Sequence, residues 1–163
     1  HQEYGDKYFL DEVFVKIQGK QRYLWRVIDQ DGEVVDVLLQ ARRDCNAAMR
    51  FFKRFLKKCR GELRKIVTDK LRSYGVAHRE FVPDTIHDTS QYANSHAELS
   101  HQQTRVRERG MRRFKSAEQA QRFLEAHAAV NNLFNFGRHL ESVSDYRDLR
   151  QGAFASWKKV TVT

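Results

Sequence analysis

The 163-residue sequence predicts an α/β protein in which a mixed five-stranded sheet, three antiparallel strands followed by parallel crossovers, is flanked by helices and followed by a helical C-terminal part. Three observations predict it. The opening forty residues hold three β-rich runs separated by turn signals, helix-period segments then alternate with two short apolar runs, and the chain after Ser90 has helical character throughout. One Pro and 8 Gly exclude collagen-like and linker-rich architectures, and no run approaches the ~20 apolar residues of a membrane helix.

Tyr8 to Ile17 alternates with period two, so Phe9, Asp11, Val13, Val15 and Ile17 share one face. Gly19 and Lys20 are expected to turn the chain into a second strand, Tyr23 to Ile28. Asp29-Gln30-Asp31-Gly32 then leads into a third, Val34 to Leu39, and Asp-Gly between such runs is a strong hairpin signal. Asp29 and Asp31 therefore read as turn residues, since a Ca²⁺ loop would need further ligands at fixed offsets. Asp44 caps a helix whose apolar Cys45, Ala48, Met49, Phe52, Phe55, Leu56 and Cys59 form one stripe, stopped by Gly61. Both cysteines are expected to be buried packing residues, because neither belongs to a CxxC pair.

Lys65 to Thr68 reads as a short buried strand ending at Asp69, Lys70 to Phe81 as a helix, and Thr85 to His87 as a fifth strand. Further helices are expected from Asn94 to Gly110, from Ser116 to about Phe136, and, shorter, within Ser144 to Lys158. Ser116 and Gln119 have capping-box spacing, with Ala120, Phe123, Leu124, His127 and Phe134 lining one face of the helix they start. This order makes the first and fourth strands parallel neighbours at the sheet centre.

Charge is unevenly distributed. The chain carries 30 Lys plus Arg against 21 Asp plus Glu, a net charge of +9, yet residues 1–41 hold 5 basic and 8 acidic side chains whereas residues 42–72 hold 12 and 3. A second basic block runs from Arg105 to Lys115. Basic blocks joined to an acidic section fit a polyanion-binding surface built around something that needs carboxylates; solvated helix faces are the plainer alternative.

Two carboxylates stand out. Asp11 lies on an otherwise apolar strand face, where it needs a metal, a donor network or a core-facing Arg. Asp69 ends the fourth strand, at the sheet edge where ligand sites collect, though it could equally cap the helix that follows. As neighbours they would repel unless a divalent ion neutralised them. Seven scattered histidines, with His96 and His101 five apart and no cysteine beside them, argue against a zinc site.

The stretches Lys7-Tyr8-Phe9-Leu10-Asp11-Glu12-Val13, Tyr23-Leu24-Trp25-Arg26-Val27-Ile28-Asp29-Gln30-Asp31-Gly32 and Val67-Thr68-Asp69-Lys70-Leu71-Arg72-Ser73-Tyr74 closely resemble the catalytic region of IS6-type insertion-sequence transposases. Ala97-Glu98-Leu99-Ser100-His101, Arg107 to Ser116 and Ala120 to Leu124 continue the resemblance in order along the chain. It implies a ribonuclease H-like fold, shared by DDE transposases and retroviral integrases. It also implies Mg²⁺-dependent cleavage and joining of DNA strands at element ends.

Carried over residue by residue, the resemblance makes Asp11, Asp69 and Glu98 the catalytic and metal-binding triad. The triad would hold two Mg²⁺ ions about 3.5 to 4 Å apart, with Mn²⁺ able to substitute. Glu98, Gln102, Arg105 and Arg109 share one helix face, and with Lys70, Arg112 and Arg113 are the expected DNA contacts. Ser95, His96 and Leu99 depart from the Asn, Arg and Asn more usual in members. A helix-turn-helix, normal in the family, finds no room before Tyr8, so residues 1–163 are expected to be one catalytic domain. Expected partners are element-end and target DNA and further copies of the chain, as a dimer or higher oligomer, with no membrane, in the bacterial cytoplasm near the nucleoid. The alternatives are a nuclease or resolvase of the same fold, or an inactive DNA-binding remnant.

Overall fold

A computed structural model of the chain describes residues 6–59, 63–90, 113–135 and 142–161. Five strands form one sheet: β1 (Lys7–Ile17), β2 (Lys20–Asp29), β3 (Val34–Gln40), β4 (Lys65–Val67) and β5 (Ile86–Asp88), in the order β3-β2-β1-β4-β5. β1 to β3 are an antiparallel meander, and β4 and β5 add in parallel, β4 directly beside β1. This is the predicted topology. Four helices are described: α1 (Cys45–Lys58), α2 (Arg72–Phe81), α3 (Ala117–Leu133) and α4 (Val143–Thr161). The helix expected over 94–110 lies outside the described residues.

The turn chemistry follows the residues. β1 and β2 are joined at Gln18 and Gly19, both with positive φ, so the turn comes one residue earlier than Gly19-Lys20 suggested, and Lys20 opens β2. Two consecutive positive φ values match the right-handed twist of a two-residue hairpin. At the second hairpin the Asp29 carboxylate accepts N–H bonds from Asp31 (3.0 Å) and Glu33 (2.8 Å), and Gly32 takes φ 82°. Asp29 is thus a turn residue, as expected, and it is buried.

The sheet is covered on both faces. Period-two alternation sends Tyr8 and Leu10 of β1 to one face, where they pack with Trp25, Val27, Phe51, Phe52, Phe55, Tyr74 and Ala77 beneath α1 and α2. Val15, Ile17, Leu24 and Val37 face the other way and meet Ala120 and Leu124 of α3. The α1 stripe sits slightly around the helix from the expected one: Ala47, Ala48, Phe51, Phe52 and Phe55 are buried, while Cys45 is exposed and Cys59 only half-buried. The expectation of two buried cysteines is corrected for Cys45, which lies in the first turn outside the Ala47, Phe51 and Phe55 row. Asp44 caps α1 through Ala47 N–H at 2.8 Å.

Polar side chains fix the helices to the sheet. Asp36, on β3 with no exposed side-chain surface, accepts from Arg54 (2.9 Å) and Lys58 (2.6 Å) of α1. β3 is an edge strand, and α3 supplies what a neighbouring strand would. Gln121 accepts from Leu39 N–H (2.7 Å) and donates to Val37 C=O (2.9 Å), while Asn132 accepts from Val34 N–H (2.8 Å) and donates to Val34 C=O (2.7 Å). Two amides therefore satisfy main-chain groups that an open edge would leave to water or to another chain. Ser116 caps α3 through Gln119 N–H at 3.1 Å. Of the expected α3 face only Ala120 and Leu124 are buried; Phe123 is exposed, stacks on His127 and meets Phe114 at a tilt. α4 is longer than the short helix expected, with Ser142 accepting from Asp145 N–H and Tyr146 N–H at its start.

Candidate functional site

The site is set by strand register. β1 and β4 are parallel, with Phe9 opposite Val67. Two residues further along each chain stand Asp11 and Asp69, which therefore meet just beyond the paired part of β4. A ligand oxygen from Asp11, one from Asp69 and one from Glu12 all lie within 4.8 Å of one another. Asp11 and Asp69 are half-buried and Glu12 is buried.

Asp69 carries both roles that its sequence context allows. One carboxylate oxygen accepts from Leu71 N–H at 2.9 Å, shaping the entry to α2, which starts two residues later than expected. The other lies 3.8 Å from the Arg43 guanidinium. Burial raises the Asp69 pKa first of all, the Leu71 bond opposes this, Asp11 adds to the rise and Arg43 offsets it. Asp11 accepts its neighbour's N–H, from Glu12, at 2.8 Å. Directly across on β2 stands Arg26, so the core-facing Arg that the sequence left open as a partner for Asp11 is present. Burial brings the Arg26 pKa down to about 10, and the attraction of Asp11 works against that fall.

Glu12 is the residue that sequence reasoning missed. It lies on the α1 and α2 face of β1, opposite to Asp11. Its Oε1 accepts from Arg43 at 2.6 Å and its Oε2 from the Tyr74 hydroxyl at 2.5 Å. Burial pushes its pKa up to about 7; the Tyr74 bond and Arg43 pull it down, while Asp69 and Asp11 push it further up. The Tyr74 hydroxyl, fully buried, is raised well above its ordinary pKa by burial and by the facing Glu12 carboxylate. The signal was available: on the face shared by Tyr8 and Leu10, both buried, a glutamate needs donors as much as Asp11 does.

Among the other expected site residues, Lys70 is exposed beside Asp69, and Arg113 is exposed ahead of α3. Glu98, Gln102, Arg105, Arg109 and Arg112 lie outside the described residues. Part of the 42–72 basic block is paired with the fold's own carboxylates. Arg54 and Lys58 bind Asp36, Arg43 binds Glu12, Arg64 binds Asp6 and Lys65 binds Asp88. Arg42, Arg50, Lys53, Lys57, Lys70 and Arg72 are exposed. No helix among the described residues is long and apolar enough to cross a membrane.

Hard carboxylate oxygens gathered at a strand end, with a third carboxylate and two guanidiniums around them, suit a divalent cation such as Mg²⁺, which takes one or two carboxylates and leaves positions for water and phosphate oxygens. Known proteins resemble this chain in sequence and in fold. A family model described as a DDE domain matches residues 5–136. Over 144 residues the chain is 33% identical to the transposase for insertion sequence-like element IS431mec of Staphylococcus aureus (strain N315), covering 85% of this chain and 62% of that protein. The transposase for insertion sequence element IS257 in transposon Tn4003, also from Staphylococcus aureus, gives the same figures. The alignment thus spans less than two thirds of these relatives' length. Among solved structures, a chain of the simian T-cell lymphotropic virus intasome in complex with PP2A regulatory subunit B56 gamma is similar with a TM-score of 0.50 at 17% identity, over 65% of this chain and 41% of that one. The HTLV-2 integrase catalytic core domain in complex with magnesium (trimeric form) has a TM-score of 0.48 at 14% identity, over 90% of this chain and 80% of that one. The sheet order and the intasome likeness make the fold ribonuclease H-like.

Proposed function

Since the chain belongs to the DDE-domain family of IS6-type insertion-sequence transposases, we propose that it performs the phosphoryl-transfer steps of DNA transposition, cutting strands at element ends and joining them to target DNA. The observation that carries this reading is the register-matched pair Asp11 and Asp69, whose ligand oxygens lie within 4.8 Å of each other at the end of two parallel strands. Like charges held that close are costly unless a cation joins them; burial raises the Asp69 pKa first of all, and Asp11 adds to the rise.

Asp11 and Asp69, together with Glu98, would hold two Mg²⁺ ions, or Mn²⁺ in their place. Bound there, the metal would polarise a phosphodiester and lower the pKa of the attacking hydroxyl or water. The chain's own residues supply position. β1 and β4 fix the two carboxylates on neighbouring backbones, the Leu71 N–H locks one Asp69 oxygen, and Arg26 neutralises part of the Asp11 charge from β2. Fixed groups of this kind need little reorganisation as charge develops on the transferred phosphoryl group. Lys70 and Arg113, with Gln102, Arg105, Arg109 and Arg112, would contact backbone phosphates without reading bases. Joining paired element ends calls for at least two copies of the protein, working on DNA in the bacterial cytoplasm.

The test uses labelled element-end DNA with Mg²⁺. The protein should give nicked and joined products, and Asp11→Asn, Asp69→Asn and Glu98→Gln should each abolish both. Activity that survives all three substitutions refutes the reading; nicking with no joined product would make the protein a nuclease or resolvase instead.

A further inference from the structure

We propose that Glu12 is a positioning residue that holds Arg43 on itself and away from the Asp11 and Asp69 pair, keeping that pair open to a divalent cation. This rests on the reading of Asp11 and Asp69 as metal ligands.

Arg43 immediately precedes the Asp44 cap of α1, so the start of the helix delivers its guanidinium to the site. Two of its nitrogens, Nε and one terminal nitrogen, lie 2.6 Å from Glu12 Oε1, while that same terminal nitrogen is 3.8 Å from Asp69 Oδ2. The first distances are charge-assisted hydrogen bonds and the second is beyond hydrogen-bond range. Arg43 has therefore bonded to Glu12 although an alternative carboxylate lies within easy reach.

The rest of the Glu12 carboxylate is committed as well. Oε2 takes the Tyr74 hydroxyl, and Tyr74, on α2, is fully buried against Trp25 and Phe52, so the carboxylate cannot turn without breaking that bond. One oxygen is thus pinned by the core and the other presented to Arg43. Without the Glu12 charge, the best remaining anion for the half-exposed guanidinium is Asp69. A tethered cation there would compete with a divalent ion for the same oxygens.

The experiment is a Mn²⁺ titration of the chain by isothermal calorimetry, with free ion followed in parallel by electron paramagnetic resonance. Glu12→Gln keeps an acceptor for Tyr74 but loses the charge, and Mn²⁺ affinity should fall by about tenfold. Arg43→Gln should bind Mn²⁺ at least as tightly as the wild type, and Glu12→Gln combined with Arg43→Gln should regain wild-type affinity. If the double variant stays as weak as Glu12→Gln alone, Glu12 acts as a ligand or a scaffold and the proposal is wrong. Weaker binding by Arg43→Gln overturns it too, and decides the matter alone should circular dichroism show Glu12→Gln unfolded. A wild-type chain that binds no Mn²⁺ removes the metal reading of Asp11 and Asp69 along with this one; binding without the rescue removes only this one.

Discussion

Asp69→Asn should make the metal-free protein more stable and at the same time deprive it of its response to metal. Two unit charges 4.8 Å apart repel by roughly 3.5 kcal/mol at an effective dielectric of about 20. Asp69 has Asp11 within that separation, and a Glu12 oxygen lies as close. Arg43 at 3.8 Å attracts Asp69 by roughly 4 kcal/mol on the same scale, so the two charges nearly cancel and burial decides the balance. The Asp69 side chain is 39% exposed, so solvent screens both terms, and its desolvation falls on the charged form alone. The substituted amide oxygen can still accept from Leu71 N–H, so the turn into α2 survives. The net expectation is a gain of about 1 kcal/mol, or about 2–4 °C in Tm for a chain of this length.

Saturating metal has the opposite consequence. A ligand at 100 times its Kd stabilises the wild type by about 2.7 kcal/mol, which the same conversion makes about 5–11 °C. Differential scanning fluorimetry with EDTA and then with Mn²⁺ measures both effects. The reasoning fails if Asp69→Asn melts below the wild type in EDTA, or if it gains as much from Mn²⁺ as the wild type does.

Two further outcomes concern the fold around the site. Asn132→Ala removes both side-chain bonds to the Val34 main chain, leaving an edge N–H and C=O to water; a loss of about 1–3 kcal/mol is expected in urea unfolding, and an unchanged midpoint would show that α3 docks through its apolar contacts alone. His78 and His87 stack at 4.7 Å and bond to Thr85 and Thr68. Burial lowers both pKa values, and for His87 the His78 charge lowers it further. The unfolded chain therefore takes up protons first as pH falls below about 6.5, so this contribution is intact above that pH and is lost progressively below it. Urea midpoints measured from pH 8 to pH 5 should fall less steeply for His87→Asn than for the wild type, and parallel curves would contradict the assignment.

The elements were legible because each is written in its own residues. Alternation marks Tyr8 to Ile17, Asp29 to Gly32 spells the hairpin, and the Asp44 cap opens the apolar stripe of α1. Even the meeting of Asp11 with Asp69 could be read, since strand order follows from element order and the side-chain period of a strand is two. The resemblance extended this to a family, which the match over residues 5–136 bears out.

Partners were another matter. The 42–72 block looks in sequence like a surface for polyanions, yet the fold commits Arg54 and Lys58 to Asp36 on β3 and Arg43 to Glu12 on β1. Glu12 escaped notice because its donors, Arg43 and Tyr74, stand 31 and 62 residues away. The amides that close the β3 edge are farther still. Period and turn chemistry act within a few residues, so the sequence by itself determined the strands and helices of the described residues and the first pair of carboxylates. Which charges neutralise one another depends on what the packed sheet brings within hydrogen-bond distance, and only the tertiary structure decided that.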